Sequence, residues 1–195
     1  MKDKRKIALF DMDDTLADYS KQLEEDMKLI HSGASEGTFL HHAKDKNPAF
    51  MEERKRLITS QKDWWFNLPR FEPGFDILKL CQHIGFEIMI LTKASIGKSN
   101  AWEEKVRWAR KHISEDVNIT ITTDKSLMYG TVLVDDYPGY VLPWLKYRPR
   151  GIVIMPQHPH NANNKEVRIP RITLYDSSHS KYKEIEKKLK AAYKR

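Results

Sequence analysis

Asp11, Asp13 and Asp14 stand within four residues of one another, directly after the apolar run Ile7-Ala8-Leu9-Phe10. Three carboxylates so close repel one another unless a cation or substrate sits among them, and a short apolar run ahead of them reads as a buried strand. In open parallel sheets ligands bind beyond the carboxyl ends of the strands, so Asp11 and Asp13 would lie where reactive groups converge. A divalent metal is the economical partner for such a cluster. A polar turn that merely closes the strand has the same composition.

Two more stretches share this form. Phe86-Glu87-Ile88-Met89-Ile90-Leu91 runs into Thr92 and Lys93, and Thr131-Val132-Leu133-Val134 runs into Asp135 and Asp136. Each is an apolar run that ends abruptly in residues suited to metal or phosphate. Neighbouring strands lie about 4.8 Å apart, so side-by-side parallel strands would gather the three ends around one phosphoryl group.

With these residues in place, the sequence resembles the haloacid dehalogenase superfamily of aspartate-nucleophile phosphatases. Asp11-Met12-Asp13-Asp14-Thr15 matches its first motif, Thr92 its second, Lys125 its third, and Asp135-Asp136 its closing acidic pair, in the expected order. Within the superfamily the chain is most similar to the 5'(3')-deoxyribonucleotidases. Leu16-Ala17-Asp18-Tyr19 continues the first motif as theirs does. Trp65-Phe66-Asn67-Leu68 before Glu72-Pro73-Gly74 resembles their aromatic pair and helix start, and Thr122-Thr123-Asp124-Lys125 is similar to their Thr-Arg-Asp-Lys. Three positions depart from that pattern: Asp14 replaces a usual Gly, Lys93 a usual Ser, and Thr123 the Arg.

The resemblance implies a mechanism residue by residue. Asp11 would be the nucleophile and Asp13 the general acid and base. Mg²⁺ would be held by Asp11, the backbone carbonyl of Asp13, and Asp136, with Asp135 as a supporting or outer ligand. Thr92 and Lys125 would steady the phosphate oxygens, and Lys93 would add charge or cover the rim. Tyr19, at the position of the family's base-stacking ring, and the cluster Trp64, Trp65 and Phe66 are the candidate contacts to a nucleobase, although such a cluster also suits a packed domain junction.

The elements that must position these groups alternate strand and helix, which indicates an α/β fold: a doubly wound, Rossmann-like parallel sheet core with a small helical cap inserted after the first strand. The expected division of the single domain, residues 1–195, is a core of about 1–18 and 71–195 with a cap of about 19–70. In the cap, Leu23, Met27 and Ile30 share one helical face ending near Gly33. Asn47-Pro48 signals a second helix with Phe50, Leu57 and Ile58 on its apolar side. In the core, Pro73-Gly74 starts a helix that buries Phe75, Leu78 and Cys81 and stops at Gly85. Ser99 caps the next, whose predicted inward stripe is Trp102, Val106, Ala109 and Ile113, leaving Lys105 off the stripe, either solvated or at the phosphate rim. His158 and His160, in a Pro- and Asn-rich loop, read as solvated rather than as metal ligands.

Composition bounds the rest. The chain has 195 residues, of which 40% are hydrophobic and 31% charged, in keeping with a soluble globular protein. The charged start and the short run after it exclude a signal peptide or membrane span in this reading, so the expected location is cytoplasmic. The lone Cys81 excludes an intramolecular disulfide. Of the net charge of +7, residues 1–6 supply +3 (four basic, one acidic) and residues 180–195 supply +5 (seven basic, two acidic), leaving the body at −1. Such a body argues against a distributed nucleic-acid groove, and the ends read as solvated tails.

The expected activity is therefore Mg²⁺-dependent hydrolysis of deoxyribonucleoside 5'- or 3'-monophosphates through an aspartyl-phosphate. The expected partner is a small nucleoside monophosphate, with nucleic acid second, no membrane, and the oligomeric state left open. The alternatives are a polynucleotide 3'-phosphatase, a small-metabolite phosphatase, and a non-catalytic phosphate-binding protein of the same fold.

Overall fold

The structure, a computed structural model, describes residues 5–29, 48–93, 99–176, 178 and 180–195. Six strands form one parallel sheet in the order β3-β2-β1-β4-β5-β6: β1 Ile7–Phe10, β2 Glu87–Thr92, β3 Asn118–Ile121, β4 Val132–Val134, β5 Ile152–Pro156 and β6 Ile172–Tyr175. The helices are α1 Tyr19–Leu29, α2 Pro48–Thr59, α3 Glu72–Ile84, α4 Ser99–His112, α5 Pro138–Lys146 and α6 Tyr182–Tyr193. The arrangement is the α/β Rossmann-like one expected from the alternation.

Strand β1 shows why the sheet is wound on both faces. Ala8 and Phe10 belong to the apolar cluster with Phe75, Ile90 and Trp108, whereas Ile7 and Leu9 belong to the opposite cluster with Leu133, Val141 and Trp144. Successive side chains of a strand point to opposite faces, so a central strand covered twice must be apolar at every position. The chain steps outward from β1 through β2 to β3, then crosses back to β4 and steps through β5 to β6. The order reverses between β1 and β4. Asp11, just past β1, and Asp135, just past β4, therefore flank the crevice where such sheets bind ligands.

Residues 19–70 leave and re-enter through a paired neck. Asp18 N–H donates to the Pro69 carbonyl (2.9 Å) and Phe71 N–H to the Leu16 carbonyl (2.7 Å). Between them, α1 packs Leu23 and Met27 against the core and α2 buries Ile58. Leu57 departs from the sequence reading: it is 53% exposed, because the buried side of α2 runs through Arg54, Ile58 and Thr59. Ile30, Gly33 and Asn47, and the side chains of Phe50 and Ser99, lie outside the described residues.

Helix α3 begins and ends as the sequence indicates. Gly85 has φ +104° and closes it in the left-handed region, where glycine meets no Cβ penalty. Gly74 serves close approach instead: a Cβ there would stand 1.7 Å from the Thr15 carbonyl oxygen. Bare backbone lets the start of α3 lie directly against the loop that carries Asp13 and Asp14.

Helix α4 corrects the expectation most strongly. Trp102 is 46% exposed, while Ala101, Glu104, Lys105, Trp108 and Ala109 are buried. The inward face is thus rotated from the predicted stripe, and it carries two charges. Helical spacing alone fits more than one face of this helix, and the fold selects the one that buries Ala101 and Trp108, with the Trp108 indole N–H donating to the Leu68 carbonyl (2.8 Å), while Ala109 is buried and Ile113 partly buried as expected.

Candidate active site

The exit of β1 is a tight turn. Leu16 and Ala17 amides donate to the Met12 carbonyl (2.9 and 2.8 Å), and Asp14 N–H to the Ala17 carbonyl (2.8 Å). Asp14 has φ +53°, a conformation in which glycine is unstrained and Asp is among the better-tolerated side chains. Its carboxylate accepts hydrogen bonds from the backbone N–H (2.7 Å) and the hydroxyl of Ser20, in the first turn of α1. Such a bond meets an otherwise unpaired helix-start donor, so a side chain absent from glycine ties the turn to α1.

Asp11 and Asp13 point to different lysines. Lys125, in the short 3₁₀ turn Lys125–Leu127, places Nζ 2.7 Å from Asp11 Oδ1 and 2.7 Å from Asp135 Oδ2. Lys105, from α4, places Nζ 2.6 Å from Asp13 Oδ2, 2.8 Å from the Lys93 carbonyl and 3.3 Å from the Thr92 hydroxyl. Both lysines are 1% exposed. Burial works against the Lys125 charge, but Asp11 and Asp135 together outweigh it and raise its pKa. Thr92 is buried at the end of β2, and the adjoining Lys93 is exposed.

Asp13 differs from Asp11 in its surroundings. Burial pushes its carboxyl up to about 6, against the pull of Lys105 and with the Asp11 charge adding to the rise. Its side chain still keeps 31% of its surface, so the desolvation comes from surrounding protein mass rather than from complete exclusion of water. Oδ1 is nonetheless buried and without a hydrogen-bond partner. A proton on this carboxyl would remove that unmet charge.

Asp11, Asp135 and Asp136 form a second feature. One carboxylate oxygen from each lies within 4.8 Å of the others, and all three residues are buried. Burial raises Asp135 and Asp136, with Asp11 adding to both, although Lys125 lowers Asp135 and His160 lowers Asp136. Asp135 Oδ1 accepts the Tyr137 amide (2.9 Å) while Oδ2 accepts Lys125. A buried, all-oxygen, mutually repelling cluster fits a hard divalent cation. The Asp13 carboxylate stands apart from this set, engaged by Lys105.

The loop after β5 departs from the sequence reading, since His158 and His160 are not free in solvent. His158 donates its Nε2–H to the Asp14 carbonyl (2.6 Å), and His160 donates to Asp136 Oδ2 (2.8 Å). That bond with Asp136 raises the His160 pKa. The rings stack with centroids 5.5 Å apart. Fully buried Asn161 donates to the carbonyls of Asp136 and Pro156, both at 2.8 Å. The loop braces both acidic turns, and its signal was position: it follows directly on a buried strand beside the acidic one. The burial of Lys105 and its pairing with Asp13 were missed for another reason, because one charge on a helix face looks solvated until its partner 92 positions away is known.

The aromatics separate into two groups. Tyr19 stacks on Trp65 (5.4 Å, 15°) and meets Trp64 edge-on (5.6 Å), and Lys105 Nζ lies 4.7 Å over the Trp65 ring. Trp64 and Trp65 are buried, with indole N–H groups donating to Asp26 Oδ2 (2.7 Å) and the Thr59 carbonyl (2.9 Å). Phe66 instead faces the cations of Arg107 and Lys111, 4.2 and 4.6 Å from its centroid. Glu104 holds the turn before them, accepting the amides of Asp63 (2.8 Å) and Trp65 (3.0 Å). A cavity of about 340 Å³ beside Gln22, Asp26, Trp64 and Asn67 is lined by none of the acidic residues at the strand ends, so the chemistry is located by the carboxylates.

Comparisons with known proteins bear on the family and the fold. The sequence model of the family described as 5' nucleotidase, deoxy (pyrimidine), cytosolic type C protein matches residues 5–173. A protein of Bordetella pertussis (strain Tohama I) with the provisional name 5'(3')-deoxyribonucleotidase is 23% identical over 167 residues, covering 82% of this chain and 88% of that protein. A structure from Burkholderia xenovorans LB400, provisionally named a haloacid dehalogenase-like hydrolase, aligns with TM-score 0.56 at 16% identity over 95% of this chain and 98% of its own. The magnesium-bound YfnB of Bacillus subtilis, provisionally named a HAD-hydrolase, aligns with TM-score 0.50 at 13% identity over 89% of this chain and 95% of its own. With the strand-end acids, the Rossmann-like sheet and a family match over most of its length, the chain belongs to the cytosolic type C 5' nucleotidase family and is a phosphoric monoester hydrolase.

Proposed function

We propose that the protein hydrolyses deoxyribonucleoside 5'- or 3'-monophosphates with Mg²⁺ as cofactor. The observation that carries this reading is the separation of two carboxylates on one strand exit. Asp11 belongs to a buried acidic cluster and pairs with Lys125, while Asp13 is held by Lys105 outside that cluster. Neighbouring carboxyl groups in contrasting environments suit one for nucleophilic attack and the other for proton transfer.

Asp11 attacks phosphorus through a carboxylate oxygen, and the bond from phosphorus to the sugar oxygen breaks. Asp13, protonated at the outset, passes its proton to the leaving alkoxide. A water molecule then attacks the phospho-aspartate, Asp13 takes the proton released, and inorganic phosphate departs with Asp11 restored. Thr92 and Lys125 steady the phosphoryl oxygens where transition-state charge spreads. Lys105 positions Asp13, and exposed Lys93 supplies charge at the rim. Asp11, the Asp13 carbonyl and Asp136, supported by Asp135, would hold Mg²⁺, which when bound supplies charge neutralisation to the phosphate oxygens.

Residues 19–70 act as the cap, joined to the core by the paired neck at Leu16–Asp18 and Pro69–Phe71. Tyr19, Trp64 and Trp65 then form its aromatic wall towards the base, and Phe66 anchors that wall to α4. The matched family is cytosolic in its description, and a cytoplasmic location is proposed on that basis.

Phosphate release from deoxyribonucleoside and ribonucleoside monophosphates, a 3'-phosphorylated oligonucleotide and sugar phosphates tests the reading, with Mg²⁺ or EDTA and with wild type or Asp11→Asn. Mg²⁺-dependent preference for deoxynucleotides, lost in Asp11→Asn, is the expected result. Preference for the oligonucleotide would overturn the substrate, and turnover undiminished in Asp11→Asn would overturn the nucleophile.

A further inference from the structure

At the other end of the sheet, where β1, β4 and β5 begin, lies a cavity of about 550 Å³. Lys6 precedes β1, Thr131 precedes β4 and Gly151 precedes β5, and all three line it. So do Arg148, Arg150, Arg195, Tyr129 and Tyr147, and among the described residues no Asp or Glu side chain does. Residues from both chain ends, read from sequence as dispersed basic tails, thus meet two arginines from the turn after α5 in one recess.

Its charges are unanswered among the described residues, where no ion pair involves Lys6, Arg148, Arg150 or Arg195. Arg148 is oriented by carbonyls: its guanidinium donates to Tyr147 (3.0 Å) and Leu127 (3.3 Å), while its Nε is buried with no acceptor. Tyr129 and Tyr147 are 54% and 59% exposed, and Lys146 Nζ lies 5.8 Å from the centroid of the Tyr147 ring. Four cations, one of them oriented by carbonyls, beside two exposed tyrosine rings in a recess of ligand size match a molecule with several negative charges and a flat ring.

We propose that this cavity is a second ligand site, for a nucleoside triphosphate, separate from the catalytic crevice. The arginines and Lys6 take the polyphosphate and the tyrosines take the base. The proposal does not depend on which monophosphate the active site hydrolyses, because the two sites lie at opposite ends of the same strands.

Isothermal titration calorimetry of the full chain in EDTA, with ATP, adenosine and inorganic triphosphate as probes, tests it. Without divalent cations the acidic crevice repels a polyanion, whereas the basic cavity does not, so the measurement isolates the second site. ATP should bind with one-to-one stoichiometry, at least tenfold more tightly than either adenosine or triphosphate. Arg150→Ala, at an exposed residue with no described bond to the fold, should weaken ATP several-fold, and Arg148→Ala with Arg150→Ala more than tenfold. Tyr147→Ala should erase the preference for ATP over triphosphate. Melting curves of each variant separate lost binding from lost folding. No saturable binding, ATP binding unchanged in Arg150→Ala, or triphosphate bound as tightly as ATP would overturn the proposal.

Discussion

Lys105 reaches from the buried side of α4 to within 2.6 Å of Asp13 Oδ2, joining the second-motif strand's helix to the first-motif turn. The same ammonium contacts the Thr92 hydroxyl and the Lys93 carbonyl, so one side chain sets the spacing between two strand ends. Breaking a buried pair by removing one partner costs about 3–5 kcal/mol, and less here because Asp13 keeps some contact with solvent. Lys105→Met is expected to lower kcat by about 10²-fold, the scale of a misplaced acid/base group, with a smaller change in KM. Steady-state kinetics beside a urea melt would check it, and an unchanged kcat would remove Lys105 from the working site.

Glu104, one residue earlier, has a different task. Its carboxylate accepts the Asp63 and Trp65 amides and the Asn100 side chain, and it is 4% exposed. In Glu104→Gln an NH₂ group would face one of the amide donors. Leaving a buried donor unmet costs about 1–3 kcal/mol, so the melting temperature should fall by several degrees. Circular dichroism would show this, and a value within one degree of wild type would contradict the bonding described.

Relief of repulsion at Asp11, Asp135 and Asp136 should be measurable without turnover. A cation that binds only the folded state stabilises it by mass action, about 2.7 kcal/mol at a hundredfold excess over its Kd. Added Mg²⁺ is therefore expected to raise the melting temperature of wild type, with most of the rise gone in Asp136→Asn. An equal rise in both proteins would place the ion elsewhere.

Cys81 is fully buried and carries the one thiol of the chain. Burial alone raises its pKa, so the folded state holds the proton while the unfolded thiol ionises near its ordinary value of about 8.5. Its contribution to stability is complete below that pH and falls as pH rises above it. At pH 8 a thiol reagent should leave the native protein unmodified and label it fully in urea, and the stability of wild type relative to Cys81→Ala should decline by roughly 1.4 kcal/mol per unit above pH 9. Rapid labelling of the native protein would contradict this burial.

The strand exits were legible in the sequence because each is local. An apolar run covered on both faces stops where carboxylates, a threonine or a lysine begin, and that contrast places Asp11, Asp13, Thr92 and Asp135-Asp136 at strand ends without knowledge of the partners. The start and stop of α3 at Pro73-Gly74 and Gly85 are equally local, since backbone stereochemistry dictates them. What the tertiary structure alone decided is which charges meet. The buried face of α4, and with it Lys105 and Glu104, depends on the bonds of Glu104 and Trp108 to the distant segment of residues 63–68. The roles of His158, His160 and Asn161 depend on β5 lying beside β4, and the recess of Lys6, Arg148, Arg150 and Arg195 on strand order bringing remote segments together. Periodicity records that a helix has an inside. A buried ion pair belongs to two segments at once, so neither segment's pattern contains it.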